Sequence, residues 1–213
     1  MQTVRVFAGG DRGDAVRQAA EVLQAGGVVA APTETVYGLM TLWGNARGCE
    51  RIFRLKRRPK EKRLQMLAAS IETAISHGMC DSPALRALAE AFWPGPLTVV
   101  GPASGGGTIG LRIPQHPFLL HLLRELGLPL AATSANLSGR EPACTAGDAV
   151  RQLGGSPDLL VDGGDTREGG GEASTVVSVV GKPFCVLRSG PVTEEALCLA
   201  LRPFGDCAGD ALP

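Results

Sequence analysis

Residues 26–39 read Gly26-Gly27-Val28-Val29-Ala30-Ala31-Pro32-Thr33-Glu34-Thr35-Val36-Tyr37-Gly38-Leu39. Two glycines stop a helical pattern, and Val28 to Ala31 is an apolar run of the length of a short buried strand. Pro32 ends the run and opens a hydroxyl-rich turn. A helix feeding a buried strand that empties into polar residues is the signature of an α/β sheet carrying a site at a strand end. The turn itself is open to two readings. Its hydroxyls can bind an amino acid or a phosphate, or they can simply close hydrogen bonds within the turn.

The same alternation of patterns continues outward. Upstream, Val16, Ala19, Ala20 and Leu23 are spaced as one face of a helix over Asp14 to Ala25. Downstream, Asn45 can cap a helix carrying Ile52, Phe53 and Leu55, which must end before Pro59 because Arg58 is pushed out of helical geometry. Leu64 to Ala69 reads as a strand. Ser82-Pro83 opens a helix to Phe92. Leu97 to Val100 and Ile109 to Ile113 read as strands, Pro117 to Leu126 as a helix, and Leu130 to Ala132 as a strand. Thr145 and Asp148 form a capping-box pattern for a helix to Leu153. Ser174 to Val180 with Phe184 to Leu187 predicts a hairpin, and Thr193 to Leu201 a last helix. Strands and helices intermingle without a strict βαβ rhythm. The expected fold is therefore α/β, a twisted open mixed sheet with packed helices. Residues 1–201 are expected to form one domain and 202–213 a loose C-terminal tail.

Composition narrows the function. Lys+Arg and Asp+Glu both total 21, so no whole-protein field gathers nucleic acid. A local patch does exist: eight basic residues lie from Arg51 to Arg63, with Glu61 the one acid among them. The six cysteines form no C-x-x-C pair and are expected to be reduced thiols. The first 14 residues lack an apolar export core, and no apolar run reaches the ~20 residues of a membrane helix. A cytoplasmic protein without membrane contact is expected. Gly105, Gly107 and Gly110 spell G-x-G-x-x-G, but a strand-like run follows where a dinucleotide site needs a helix. There is no Walker A sequence, and the three histidines lack metal-ligand spacing.

Four polar segments remain beside apparent strands. The first is the turn at Thr33 to Tyr37. The second is Lys56-Arg57-Arg58-Pro59-Lys60-Glu61-Lys62, whose cations suit polyphosphate but also suit a solvated helix end or RNA. In the third, Thr108 to Pro114, alternation puts Thr108, Gly110 and Arg112 on one face of a strand. An arginine there is costly to bury unpaired, so it serves either a salt bridge or a carboxylate ligand. The fourth comprises Thr133-Ser134-Ala135-Asn136-Leu137-Ser138-Gly139 and Ser174-Thr175-Val176-Val177, with Arg188 on the next strand.

Taken in order, these segments resemble the YrdC-like family of threonylcarbamoyl-AMP synthases. The resemblance covers roughly Gly27 to Arg188. It rests on PTETVYGL, the K-x-R-P run at Lys56 to Pro59, WPGPLTVV, TIGLRIP, TSANLSG, STVV and Leu187-Arg188-Ser189-Gly190. It implies a sheet curved around a concave, positively lined cavity, in the short single-domain form of the family. It also implies that L-threonine, bicarbonate and ATP give threonylcarbamoyl-AMP and pyrophosphate, a group that partner proteins later place on tRNA. Motif by motif, Thr35, Arg112 and Ser174 would bind threonine. Lys56, Arg58, Lys62, Thr108, Ser134, Asn136 and Arg188 would bind the nucleotide. Mg²⁺ is expected with the phosphates. No protein nucleophile or general base is evident, and no protein metal ligands are expected. Met40, Arg63, Leu67 and Ser178 depart from the family pattern; Arg63 stands where proline is frequent. Two rival readings are a YciO-like paralogue with a different or weaker reaction and an RNA-binding module. Low aromatic content, 4%, argues against the second, since single-strand readers need stacking platforms.

Overall fold

The computed structural model describes residues 2–6 and 12–208. Much of the N-terminal stretch weighed as an export signal, and residues 209–213 of the tail, lie outside the described residues. The elements run in chain order: β1 (Gln2–Arg5), α1 (Arg12–Gln24), β2 (Val29–Ala31), β3 (Gly38–Leu42), α2 (Ala46–Lys56), β4 (Gln65–Leu67), α3 (Ile71–Ser76), α4 (Pro83–Phe92), β5 (Leu97–Pro102), β6 (Thr108–Arg112), α5 (Pro117–Leu126), β7 (Leu130–Ser134), α6 (Ala146–Gln152), β8 (Leu159–Asp162), β9 (Thr175–Ser178), β10 (Phe184–Arg188), α7 (Glu194–Leu201) and β11 (Cys207–Ala208). A single 3-10 turn covers Thr166–Gly169.

The strands form one mixed 11-stranded sheet in the order β1-β8-β2-β3-β7-β4-β6-β5-β9-β10-β11. The sheet combines parallel pairs (β2 with β8, β4 with β6, β5 with β9) and antiparallel ones (β2 with β3, β3 with β7, β5 with β6). The α/β mixed-sheet expectation therefore holds.

The expected caps form. Asn45 accepts a hydrogen bond from Gly48 N (3.1 Å), Ser82 from Leu85 N (3.2 Å) and Thr145 from Asp148 N (3.1 Å). Each satisfies a donor that a helix start would otherwise leave orphaned. Arg57, at φ 48°, closes α2 in the left-handed region, one residue before the Arg58-Pro59 pair.

The period-2 alternation of the strands sorts the core. At β2 both faces are covered. Val29 and Ala31 pack with α1 and α5, through Leu23, Leu119 and Leu122. Val28 and Ala30 pack with α2 and α6, through Ile52, Leu55 and Ala149. That is why this strand is apolar at every position. Beyond β4 only one face is covered. Leu97, Val99, Ile109, Leu111 and Val177 pack under α4 and α7, against Leu85, Leu88 and Leu197. Each fully buried leucine contributes about 1.5–3 kcal/mol. The intervening residues, Thr98, Val100, Thr108, Gly110 and Arg112, face the other way, and among the described residues no helix lines the cavity they border.

Five elements were not read from the sequence: β1, β3, α3, β8 and β11. The tail also differs from expectation as far as it is described. Cys207–Ala208 pair in parallel with β10, so the chain is tied to the sheet past Arg202. Glycine-rich residues 163–171 are likewise held. Tyr37 donates to Gly164 O (2.8 Å) and accepts from Gly163 N (3.1 Å). Burial of that phenol pushes its pKa up to about 12.

Candidate active site

The uncovered half of the sheet is the floor of a cavity of about 340 Å³, a volume suited to a small ligand. Seven of the ten residues singled out in the sequence line it: Thr35, Arg112 and Ser174 from the threonine set, and Arg58, Thr108, Ser134 and Arg188 from the nucleotide set. Strand alternation delivers Thr108 and Arg112 as the sequence implied. Arg188 arrives by another route. The β9–β10 register shifts between Val186 and Arg188, so that Arg188 pairs with Val176. Phe184 and Val186 face the core, and strict alternation would send Arg188 after them. The irregularity re-aims it into the cavity.

Arg112 is 3% exposed and held by the β2–β3 turn. Its Nη2 lies 2.7 Å from Glu34 Oε1 and donates to Thr35 Oγ1 (3.0 Å) and Thr33 Oγ1 (3.4 Å). Thr33 Oγ1 donates in turn to Val36 O (2.8 Å) and contacts Thr35 Oγ1 at 2.7 Å. Each hydroxyl has one proton, so Thr35 donates to Thr33 and accepts from Arg112. Of the two readings of the turn, the internal hydrogen bonds form, and the turn also grips the arginine. The Glu34 contact is an ion pair without hydrogen-bond alignment. Both Glu34 oxygens and Arg112 Nε are buried with no hydrogen-bond partner. Arg112 therefore retains donors that a ligand carboxylate can take.

Ser174 is 2% exposed and sits within a hydrogen-bond chain. Arg188 Nη2 donates to Ser174 Oγ (3.1 Å), while Arg188 Nε and Nη2 also donate to Ser174 O (3.0 and 2.6 Å). Ser174 Oγ lies 2.9 Å from Thr98 Oγ1, which donates to Gln65 Oε1 (3.1 Å). With the Thr98 proton on Gln65, Ser174 donates to Thr98 and presents only lone pairs to other groups. Gly190 makes the arrangement possible. A Cβ there would lie 2.5 Å from Thr175 N and 2.6 Å from Ala173 O, so only glycine lets this segment rest on the Ser174 backbone.

Three residues read as nucleotide ligands do not line the cavity: Lys56, Asn136 and Lys62. Lys56 is 1% exposed. Its Nζ donates to the Ser134 carbonyl, to Asn136 O (2.7 Å) and to Asn136 Oδ1 (3.4 Å). Asn136 Nδ2 donates to Leu137 O (2.9 Å) and Arg140 O (2.6 Å). The pair staples the end of α2 to the 134–140 loop beneath the site. Burial, aided by the charge of Arg58, pulls the Lys56 ammonium down to about 7, and its three acceptors act in the opposite sense. Lys62 is exposed, and its contribution is a carbonyl that accepts from Arg58 Nε (2.8 Å).

Arg63 was passed over in the sequence, yet it lines the cavity. The wall thus carries Arg58, Arg63, Arg112 and Arg188 and, among the described residues, no acidic side chain. Burial lowers the pKa of Arg188, with Arg112 adding to the effect, and burial lowers that of Arg58. A cavity of crowded, partly desolvated guanidinium groups is built to receive an anion. No cluster of three or more His, Cys, Asp or Glu side chains able to hold a metal occurs among the described residues. The cavity's cationic donor set does not fit a resident metal ion.

Comparison with known proteins places this geometry. The Sua5/YciO/YrdC family model, described as "Telomere recombination", matches residues 21–190. The chain is 36% identical over 198 residues to the threonylcarbamoyl-AMP synthase of Bacillus subtilis, covering 88% of this chain and 57% of that protein. It is 34% identical over 201 residues to a putative threonylcarbamoyl-AMP synthase of Mycobacterium tuberculosis, covering 89% of this chain and 90% of that protein. Among solved structures, Sua5 of P. abyssi complexed with L-threonine superposes with a TM-score of 0.87 at 31% identity, over 99% of this chain and 63% of that one. The chain thus spans a little over half the length of the B. subtilis protein (57%) and of the curated P. abyssi relative (56%).

Proposed function

The chain belongs to the Sua5/YciO/YrdC family, and from that premise we propose that it is an L-threonylcarbamoyladenylate synthase, a nucleotidyltransferase acting on L-threonine, bicarbonate and ATP. The observation that carries this reading is one cavity holding both a gripped arginine with hydroxyls, suited to an amino acid, and further guanidinium groups free of acids, suited to phosphates. The relatives' printed names support it.

In this reading Arg112 takes the threonine carboxylate, with Thr35 and Ser174 beside it. Ser174, an acceptor only, suits the substrate's amine or hydroxyl. The threonine amine adds to the bicarbonate carbon with loss of water, giving a carbamate. A carbamate oxygen then attacks the α-phosphorus of ATP. The bond from that phosphorus to the bridging oxygen breaks, and its electron pair leaves with pyrophosphate. Charge passes onto the leaving phosphates, where Arg58 and Arg188 are placed to stabilise it. Thr108 and Ser134 border the nucleotide, and Mg²⁺ enters as the counter-ion of ATP. Lys56 and Asn136 act from below, by fixing the Ser134 carbonyl. Positioning and electrostatics suffice, without a protein nucleophile.

The threonylcarbamoyl group would then pass to tRNA through partner proteins. Exposed Arg47, Arg54 and Arg57 offer a surface for RNA contact. No described helix is long and apolar enough to cross a membrane. Cys49, Cys80, Cys144, Cys185 and Cys198 are free thiols, which suits the cytoplasm.

Pyrophosphate release from ATP tests the proposal. It is expected to require threonine and bicarbonate together and to fall to background when either is omitted. Release that is indifferent to threonine would instead suit a YciO-like paralogue and refute the assigned reaction.

A further inference from the structure

Two of the cations expected at the phosphates, Lys56 and Lys62, are not in the cavity, and one that was not expected there is. Arg58 folds the 59–63 segment back on itself, donating through Nε to Lys62 O (2.8 Å) and through Nη2 to Arg63 O (3.1 Å). That fixes the backbone from which the Arg63 side chain crosses to β6, where Nη1 donates to Thr108 O (3.0 Å). The glycine-rich turn before β6 makes room for it. Gly107 adopts φ 75°, and a Cβ there would lie 2.8 Å from Arg63 Nη1. Arg63 also lines a neighbouring cavity of about 440 Å³ bordered by Trp43 and Phe53, so it stands on the divide between the two. A guanidinium has five N–H donors, and this one commits a single nitrogen to a carbonyl.

We propose that Arg63 is a phosphate-binding residue of this chain, holding the end of the polyphosphate that departs as pyrophosphate. The proposal rests on the synthase reading and deepens it. An exposed side chain at the mouth, anchored at one corner and free at the others, is positioned for the outer part of the phosphate chain rather than for the buried α-phosphate. The anchor pre-orients the fork, which reduces the ordering cost of binding. It also replaces in kind what the buried Lys56 and the outward Lys62 do not provide.

Calorimetric binding of inorganic pyrophosphate, ATP and threonine to Arg63→Ala, Arg63→Gln and Arg54→Ala tests this. Arg54 is exposed on α2 and outside both cavities, so its loss removes the same charge elsewhere. Arg63→Ala is expected to weaken pyrophosphate and ATP by about tenfold, the loss typical of a charge-assisted hydrogen bond, with threonine affinity unchanged. Arg63→Gln keeps an uncharged amide donor but not the charge, and is expected to remain impaired; Arg54→Ala is expected to match the parent protein. Restoration by glutamine, or equal losses in Arg54→Ala and Arg63→Ala, would reduce Arg63 to a loop anchor or to general charge and overturn the proposal. If the parent protein binds neither pyrophosphate nor ATP, the nucleotide reading itself falls, and this proposal with it.

Discussion

Arg112→Ala is expected to lower threonine affinity by roughly 10- to 150-fold, the 1.5–3 kcal/mol carried by a hydrogen bond to a charged group. ATP affinity should change far less, because the guanidinium groups proposed for the phosphates belong to other strands and loops. The substitution also has a structural cost. Arg112 is the ion-pair partner of Glu34, whose carboxylate oxygens are fully buried. Removing one member of a buried pair leaves a lone charge and typically costs about 3–5 kcal/mol. Binding and stability are therefore both expected to fall, and a single variant cannot separate them. The double variant Glu34→Gln/Arg112→Ala can. It removes both charges, so much of the melting temperature should return while threonine affinity stays low. If affinity returned along with stability, Arg112 would be a structural residue only. Normal threonine affinity in Arg112→Ala would say the same more directly.

Lys56→Ala is expected to destabilise the protein rather than merely weaken ATP binding. The side chain is 1% exposed, and its ammonium serves the Ser134 and Asn136 carbonyls. Truncation leaves those acceptors unsatisfied and a void beneath the site, together worth about 3–5 kcal/mol. For a chain of this size that is a fall in melting temperature of roughly 6–20 °C. Lys56→Met keeps most of the volume and should recover part of the stability, but not the fixed position of Ser134. If Lys56 touched phosphate directly, both variants would melt normally and lose ATP affinity alone. Thermal melts with ATP titrations on both variants decide between the two roles.

These cases show where the sequence is legible and where it stops. The alternation Thr108, Gly110, Arg112 against Ile109, Leu111 is a local signal, and the structure follows it residue by residue. The caps Asn45, Ser82 and Thr145 are equally local. Lys56 was readable in principle. Gly48, Ile52, Leu55 and Lys56, all buried, fall at the i, i+4, i+7 and i+8 positions of one helical stripe. A lysine on that stripe has to be tied down inside, and the resemblance to a phosphate-binding motif drew the reading away from it. Arg188 and Arg63 were not readable in the same way. The aim of Arg188 depends on a register shift against β9, and that of Arg63 on the fold of a loop over Gly107. Neither leaves a periodic trace. β1 and β8 were missed for a similar reason. Each is four residues long, and they pair with one another across more than 150 residues of chain.

In the proposed reaction one cavity joins an amino acid, a bicarbonate carbon and the α-phosphate of ATP in a single molecule. The most direct measurement supplies threonine, carbon-labelled bicarbonate and ATP labelled on its α-phosphate, then separates and identifies the products at once. One species carrying both labels and the mass of threonine is expected, formed in step with pyrophosphate. Labelled AMP or ADP with no labelled carbon attached, under conditions where threonylcarbamoyl-AMP survives, would contradict it.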